Sequence, residues 1–207
     1  VSVKHHFLEQ GIDTQTQIFT AVGVGDMGGD VFGNGMLQSQ KTRLLAAFNH
    51  EHIFIDPTPN EDKSYTERKR LFENPGLKWS DYNAEIISKG GGVHSRFVKS
   101  IKITPEMHQA FGIDTKITAM LPDDLIKCLL TAPIDLLYFG GIGTFIKASH
   151  ESHADTQDRA NDTVRVNAKD LQAKVIGEGA NLGITQLGRT EFSLNGGRIN
   201  MDAIDNS

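Results

Sequence analysis

Gly23-Val24-Gly25-Asp26-Met27-Gly28 has the residue types and spacing of a phosphate-binding turn, and it follows directly on the β-branched and apolar run Ile18 to Val22. In a strand, turn and helix such glycines do separate jobs. Gly23 permits the tight turn, Gly25 lets backbone amides approach a pyrophosphate, and Gly28 lets the helix pack closely on the strand. The helix N-terminus then offers unpaired N–H groups to the anion. With 21 glycines among 207 residues, one triplet carries little weight alone, and the surroundings must support it. They do, because the run Thr42 to Phe48 reads as a second strand ending at Asn49, about 20 residues past Gly28, where a ribose-binding residue belongs. Asn49 can hydrogen-bond a ribose hydroxyl but has no charge to repel a 2′-phosphate. With no arginine beside it, NAD rather than NADP is expected, and the glycine turn with Asp26, Met27 and Asn49 forms the candidate cofactor site.

Other residues with chemical potential sort less favourably. Lys89, in Lys89-Gly90-Gly91-Gly92, is a candidate contact for a phosphate or a substrate carboxylate, against the alternative of a solvated lysine on a surface turn. His50 and His52, or His150 and His153 with Asp155, supply no obvious four-ligand frame, so no metal is expected. Ser149 and Ser152 lie outside any Gly-x-Ser-x-Gly elbow, which argues against a hydrolase. The lone Cys128 cannot form an internal disulfide and reads as a small apolar residue in a reduced compartment.

These residues need a scaffold. A short amphipathic helix over Val1 to Gln10, stopped by Gly11, leads into a strand over Gln17 to Val24. Asp26 is placed to cap the amides of Gly28 or Gly29, and a helix continues roughly to Gln40 despite Gly33 and Gly35, which imply close packing or irregularity. A long polar passage follows, with a turn at Asp56 to Asn60, a short charged helix over Thr66 to Phe72, and Trp79 and Tyr82 as anchors. Pro122 to Leu130 has a helical pattern with Asp123 and Asp124 near its positive end. The apolar run Ile134 to Phe139 predicts a buried strand that delivers Gly140, Gly141, Ile142, Gly143 and Thr144 to the carboxyl edge of the sheet. Ala173 to Gly177 repeats this pattern, with Glu178-Gly179-Ala180-Asn181 at its exit. The fold class is therefore α/β, a doubly wound, mostly parallel Rossmann-type sheet with helices on both faces.

The quoted segments closely resemble the very large bacterial NAD-specific glutamate dehydrogenases. The resemblance runs through Val22 to Leu37, Ile87 to Val93, Gly140 to Ser149, Ser152 to Asp162, and Leu194 to Ser207, so it covers nearly the whole chain. It implies oxidative deamination of L-glutamate to 2-oxoglutarate and ammonium, with NAD as cofactor and a homo-oligomer as the full-length form. By the same resemblance Asn181 contacts the nicotinamide ribose, and Gly140 and Gly141 border the cofactor where smaller relatives carry Pro-Ala-Ala. Relatives of this large class usually look acidic at the position of Asn49. The catalytic lysine and aspartate belong to a preceding substrate domain, so none is assigned here. Lys89 resembles the lysine of glutamate-binding segments but follows the glycine turn instead of preceding it.

Length suits one NAD-binding domain over residues 1–207, and the abrupt ends predict a piece of a longer chain, inactive alone. A net charge of −5 offers no basic face for nucleic acid, and no apolar run reaches the ~20 residues of a membrane span, which with the single cysteine predicts a cytoplasmic protein. The competing readings are a non-catalytic nucleotide-binding regulatory or structural module, and a methyltransferase-like fold with its own glycine-rich first loop.

Overall fold

A computed structural model describes residues 2–201 and residue 204. Val1, at the head of the expected first helix, and the closing segment from Asp202 onward, apart from Ile204, lie outside the described residues. In chain order the strands are β1 (Phe19–Val24), β2 (Thr42–Phe48), β3 (His52–Ile55), β4 (Gly92–Ser95), β5 (Ile101–Lys102) and β6 (Ala119–Met120). They continue with β7 (Leu136–Phe139), β8 (Ile146–Lys147), β9 (Val166–Asn167), β10 (Val175–Glu178) and β11 (Arg198–Ile199). The α-helices are α1 (Ser2–Glu9), α2 (Asp30–Leu37), α3 (Glu61–Glu73), α4 (Pro105–Phe111), α5 (Pro122–Leu130) and α6 (Gln186–Leu194).

One sheet takes the order β11-β10-β7-β1-β2-β3-β4. The pairs from β11 to β2 are parallel, whereas β2 with β3 and β3 with β4 are antiparallel. This is the mostly parallel, Rossmann-like α/β fold that the strand and glycine-loop pattern predicts. The antiparallel margin is a difference with a simple cause. Only Asn49, His50 and Glu51 separate β2 from β3, and a parallel crossover needs a dozen or more residues, so the chain can only fold back as a hairpin. The run His52 to Ile55, inside what reads as a polar passage, thereby becomes a third strand.

Alternate residues of the strands feed two cores on opposite faces. On one face Phe19 and Ala21 of β1, Leu136 of β7 and Val175 of β10 meet Phe7 of α1, Phe32 and Met36 of α2, and Leu71 of α3. On the other, Val22, Leu137, Phe139 and Ile176 meet Met107 of α4, Leu125, Ile126 and Leu129 of α5, and Phe192 of α6. Leu45 and Ala46 both join the second core because the β1/β2 register slips between Ala21 and Val22. Two helix boundaries also differ from expectation. The charged helix starts at Glu61, where the Asn60 side chain accepts a hydrogen bond from Lys63 N at 3.0 Å. The glycine-containing helix stops at Leu37, because the hydroxyl of Ser39 donates to the carbonyl of Thr14 and turns the chain toward β2. Trp79 and Tyr82 are buried, as anchors should be.

The strand that follows α5 is tied to β1 by a carboxylate. Asp135 accepts from the N–H and hydroxyl of Thr20 at 2.8 and 2.9 Å and from Lys174 Nζ at 2.7 Å. Partial burial alone would raise its pKa, but the hydrogen bonds from Lys174 and Thr20 outweigh that and hold it below the ordinary carboxylate range. A depressed folded-state pKa gives stability that is present above the unfolded-state value and lost as pH falls through the folded one. Asp135→Asn should therefore lower stability at neutral pH and flatten the acid limb. Urea midpoints followed from neutral pH to about pH 3 would test this. An equally steep acid limb in parent and variant would remove Asp135 as its source.

Candidate functional site

The winding direction reverses between β1 and β7, so the loops leaving their carboxyl ends diverge and leave a crevice. A cleft of about 520 Å³ lies there, lined by Gly25, Asp26 and Gly29 after β1, Asn49 and His50 after β2, and Gly140, Gly141 and Ile142 after β7.

The first loop is shaped by Phe32, which is fully buried on α2. A Cβ at Gly23 or Gly25 would come within 2.3 or 2.8 Å of its ring, so these two glycines are what lets α2 press onto β1. At Gly28 the nearest such contact is the Leu77 carbonyl at 3.2 Å, so close helix packing is not its role. Gly25 has φ +146°, donates to the Phe48 carbonyl at 2.9 Å and accepts from Trp79 Nε1 at 2.9 Å, so its own peptide is committed to the sheet and core. The amides of Asp26, Met27 and Gly28, which follow it, have no protein acceptor among the described residues. The Asp26 side chain does not cap α2, contrary to the sequence expectation. Gly29 is the N-cap without a side-chain bond, and its N–H takes the Asp26 carbonyl at 2.9 Å. The carboxylate is drawn off by Asn49.

Asn49 is a hub. Its Nδ2 donates to Asp26 Oδ2 at 2.7 Å, while its Oδ1 accepts from Glu51 N and His52 N at 2.8 and 2.7 Å and thereby fixes the β2/β3 hairpin. Its carbonyl accepts from Arg96 Nη1 at 3.1 Å, and Arg96 also meets Asp123 at 3.1 Å. The other oxygen of Asp26, Oδ1, is buried without a hydrogen-bond partner among the described residues. Arg96 lines the cleft, which corrects the premise that no arginine neighbours Asn49. It escapes sequence reading because it reaches Asn49 only through β3 and β4, 47 residues on. No local spacing signals that.

The second loop repeats the pattern of the first. Gly140 N donates to the Val24 carbonyl at 2.8 Å, and the amides of Gly141, Ile142 and Gly143 then have no protein acceptor among the described residues. Thr144 N anchors the far end on Asp158 Oδ2 at 2.8 Å, and Asn161, another cleft residue missed in the sequence, donates to the same oxygen at 2.7 Å. Burial works to raise the Asp158 pKa, but the bonds from Asn161 and Thr144 and the charge of Arg165 keep it low. Arg165, whose side chain is fully buried, donates to the Thr144 carbonyl at 2.8 Å. The hydroxyl of Thr144 donates to the Leu182 carbonyl at 2.8 Å, which ties this loop to the exit of β10.

Of the residues singled out in the sequence, the fold brings Gly25, Asp26, Asn49, Gly140 and Gly141 together around the cleft. Gly23 is buried in β1 and the Met27 side chain in the core, whereas Gly28 and Asn181 are exposed outside the lining of the cleft. Lys89 is also outside it, pairing with Glu106 at 2.9 Å. That partner, through its hydrogen bond and then its charge, holds the Lys89 pKa above the usual value. His50 lines the cleft, while no group of three His, Cys, Asp or Glu residues among the described residues could hold a metal ion. Among the same residues no helix is long and apolar enough to cross a membrane. Two loops with amides lacking a protein acceptor among the described residues border one crevice, an arrangement that can bind a dianionic bridge such as a pyrophosphate, and the unsatisfied Asp26 oxygen can accept a hydroxyl. The residues therefore fit a dinucleotide.

Comparison with known proteins agrees with this geometry. Residues 1–207 match the family described as bacterial NAD-glutamate dehydrogenase, catalytic domain. The chain is 59% identical over 210 residues to a protein of Mycobacterium tuberculosis named NAD-specific glutamate dehydrogenase, and 56% identical over 207 residues to one of the same name from Pseudomonas aeruginosa. A third, from Halomonas elongata, is 52% identical over 206 residues. Each match takes in 100% of this chain, which spans only 13% of the length of these relatives.

Proposed function

Because this chain belongs to the bacterial NAD-glutamate dehydrogenase family, we propose that residues 1–207 are the NAD-binding domain of an enzyme that oxidatively deaminates L-glutamate to 2-oxoglutarate and ammonium. The family description calls the matched region catalytic, and our narrower reading gives this part of it the coenzyme. Bound NAD would supply the hydride acceptor. The work of this chain is to bind and orient it: the amides of residues 26–28 and 141–143 hold the pyrophosphate from two sides, and Asn49 with its neighbours holds the adenosine end. Asn181, at the exit of β10, borders the nicotinamide end. Groups that bind glutamate and move its protons are assigned to other parts of the longer chain, as are the contacts of a homo-oligomer.

The observation that carries this reading is the pair of amide triplets without protein acceptors at the reversal point of the sheet. Hydrogen exchange of the full-length protein, with and without NAD, tests it directly. Amides 26–28 and 141–143 should slow on NAD addition and remain unaffected by S-adenosylmethionine. Saturable NAD binding that leaves both triplets unprotected would place the cofactor elsewhere.

A further inference from the structure

Resting on the NAD reading above, we infer that Asp26 is the carboxylate that receives the adenosine ribose hydroxyls, that Asn49 is its positioning residue, and that Asp26 set against Arg96 decides between NAD and NADP. In dinucleotide-binding folds the acidic group stands at the end of the second strand, a place taken here by Asn49. The structure returns an acid to that place by another route. Asp26 leaves the glycine loop, and a 2.7 Å bond from Asn49 Nδ2 holds its Oδ2 against the end of β2. Both lone pairs of Asn49 Oδ1 are taken by the amides of Glu51 and His52, so the Asn49 side chain has no acceptor left for a hydroxyl.

Asp26 does have one. Its Oδ1 is buried beside the cleft with no donor, a costly state for a charged oxygen and one that a ligand hydroxyl relieves. The terminal torsion of an aspartate is soft, so a modest rotation of the whole carboxylate would bring Oδ1 to a ribose, with the Asn49 amide holding the group near through Oδ2. A 2′-phosphate brought to the same place would put two negative groups in contact. Arg96 lines the same cleft and is bonded to Asp123 and the Asn49 carbonyl, so its charge is partly answered within the protein. Take the Asp26 charge away and a 2′-phosphate no longer meets a like charge there, while Arg96 in the cleft lining offers it donors.

The test uses the full-length protein and calorimetric binding of NAD, NADP and an NAD analogue lacking the adenosine 2′-hydroxyl. In the parent protein the analogue should bind about ten- to a hundredfold more weakly than NAD, the value of a hydrogen bond to a charged acceptor. In Asp26→Asn that penalty should largely vanish, and the preference for NAD over NADP should narrow by about tenfold or more. Adding Arg96→Gln should take the gained NADP affinity away again. The analogue measurement on the parent needs no variant, so it decides the matter even if Asp26→Asn folds poorly. Undiminished analogue binding by a parent protein that binds NAD would overturn this inference alone. Failure of the parent to bind NAD at all would overturn the underlying reading, and this inference with it.

Discussion

Gly25→Val is expected to lower stability by about 3–5 kcal/mol, and to do so before any ligand is involved. Two costs combine. At φ +146° an L side chain is strained, at about 1–3 kcal/mol, and a Cβ would stand 2.8 to 2.9 Å from the ring and Cβ atoms of Phe32. Phe32 cannot yield, because it is fully buried and packs edge-on to Trp79 with centroids 6.0 Å apart. Overpacking of that kind adds about 1–3 kcal/mol. Gly76→Ala is the control: φ is +96°, but a Cβ there meets nothing within 4 Å, so only the backbone cost of about 1 kcal/mol should appear. Urea midpoints for the two variants separate strain from collision. Equal shifts would mean that Phe32 moves aside. The result also bears on function, because loss of NAD binding in Gly25→Val would reflect a displaced loop as much as a blocked pyrophosphate, which makes Asp26→Asn the cleaner probe of the site.

The second large effect is expected at the exit of β10. Glu178 is fully inaccessible, forms an ion pair with the nearly buried Arg189 of α6, and accepts from Ile184 N at 3.3 Å. Arg189→Met would take a close positive charge away from a buried carboxylate, at a cost of about 3–5 kcal/mol. Replacing both partners, Glu178→Gln with Arg189→Met, keeps an acceptor for Ile184 and removes the charge, so most of the loss should return. Equilibrium unfolding of the three proteins checks this. A double variant no better than the single one would show that Arg189 contributes by shape and not by charge. Because Glu178 opens the segment leading to Asn181, the single variant should also weaken the nicotinamide end of the proposed site more than the adenosine end.

Much of this was legible in the sequence because the signals are local. The run Thr42 to Phe48 is β-branched at its start and apolar from Leu44 onward, and it became β2 with the same bounds. Pro122 at the first turn with Asp123 and Asp124 behind it located α5 to the residue. The glycine-rich exits of β1 and β7 marked the carboxyl edge correctly, since tight turns leave few alternatives to glycine. Where the reading went astray, two local rules competed. Asp26 has the type and spacing of an N-cap, yet a stronger partner, the Asn49 amide, took its carboxylate from across the sheet.

The sequence by itself determined the class of fold and the glycine-rich segments that stand at the carboxyl edge of the sheet, because each follows from periodicity and glycine placement within a few consecutive residues. Only the tertiary structure decided which side chains share the cleft. Arg96 and Asn161 arrive through the β3/β4 hairpin and the Thr144–Asp158 tie, and the committed lone pairs of Asn49 depend on the turn into β3. Contacts between residues tens of positions apart are set by how strands register and helices pack, and no spacing along the chain encodes them.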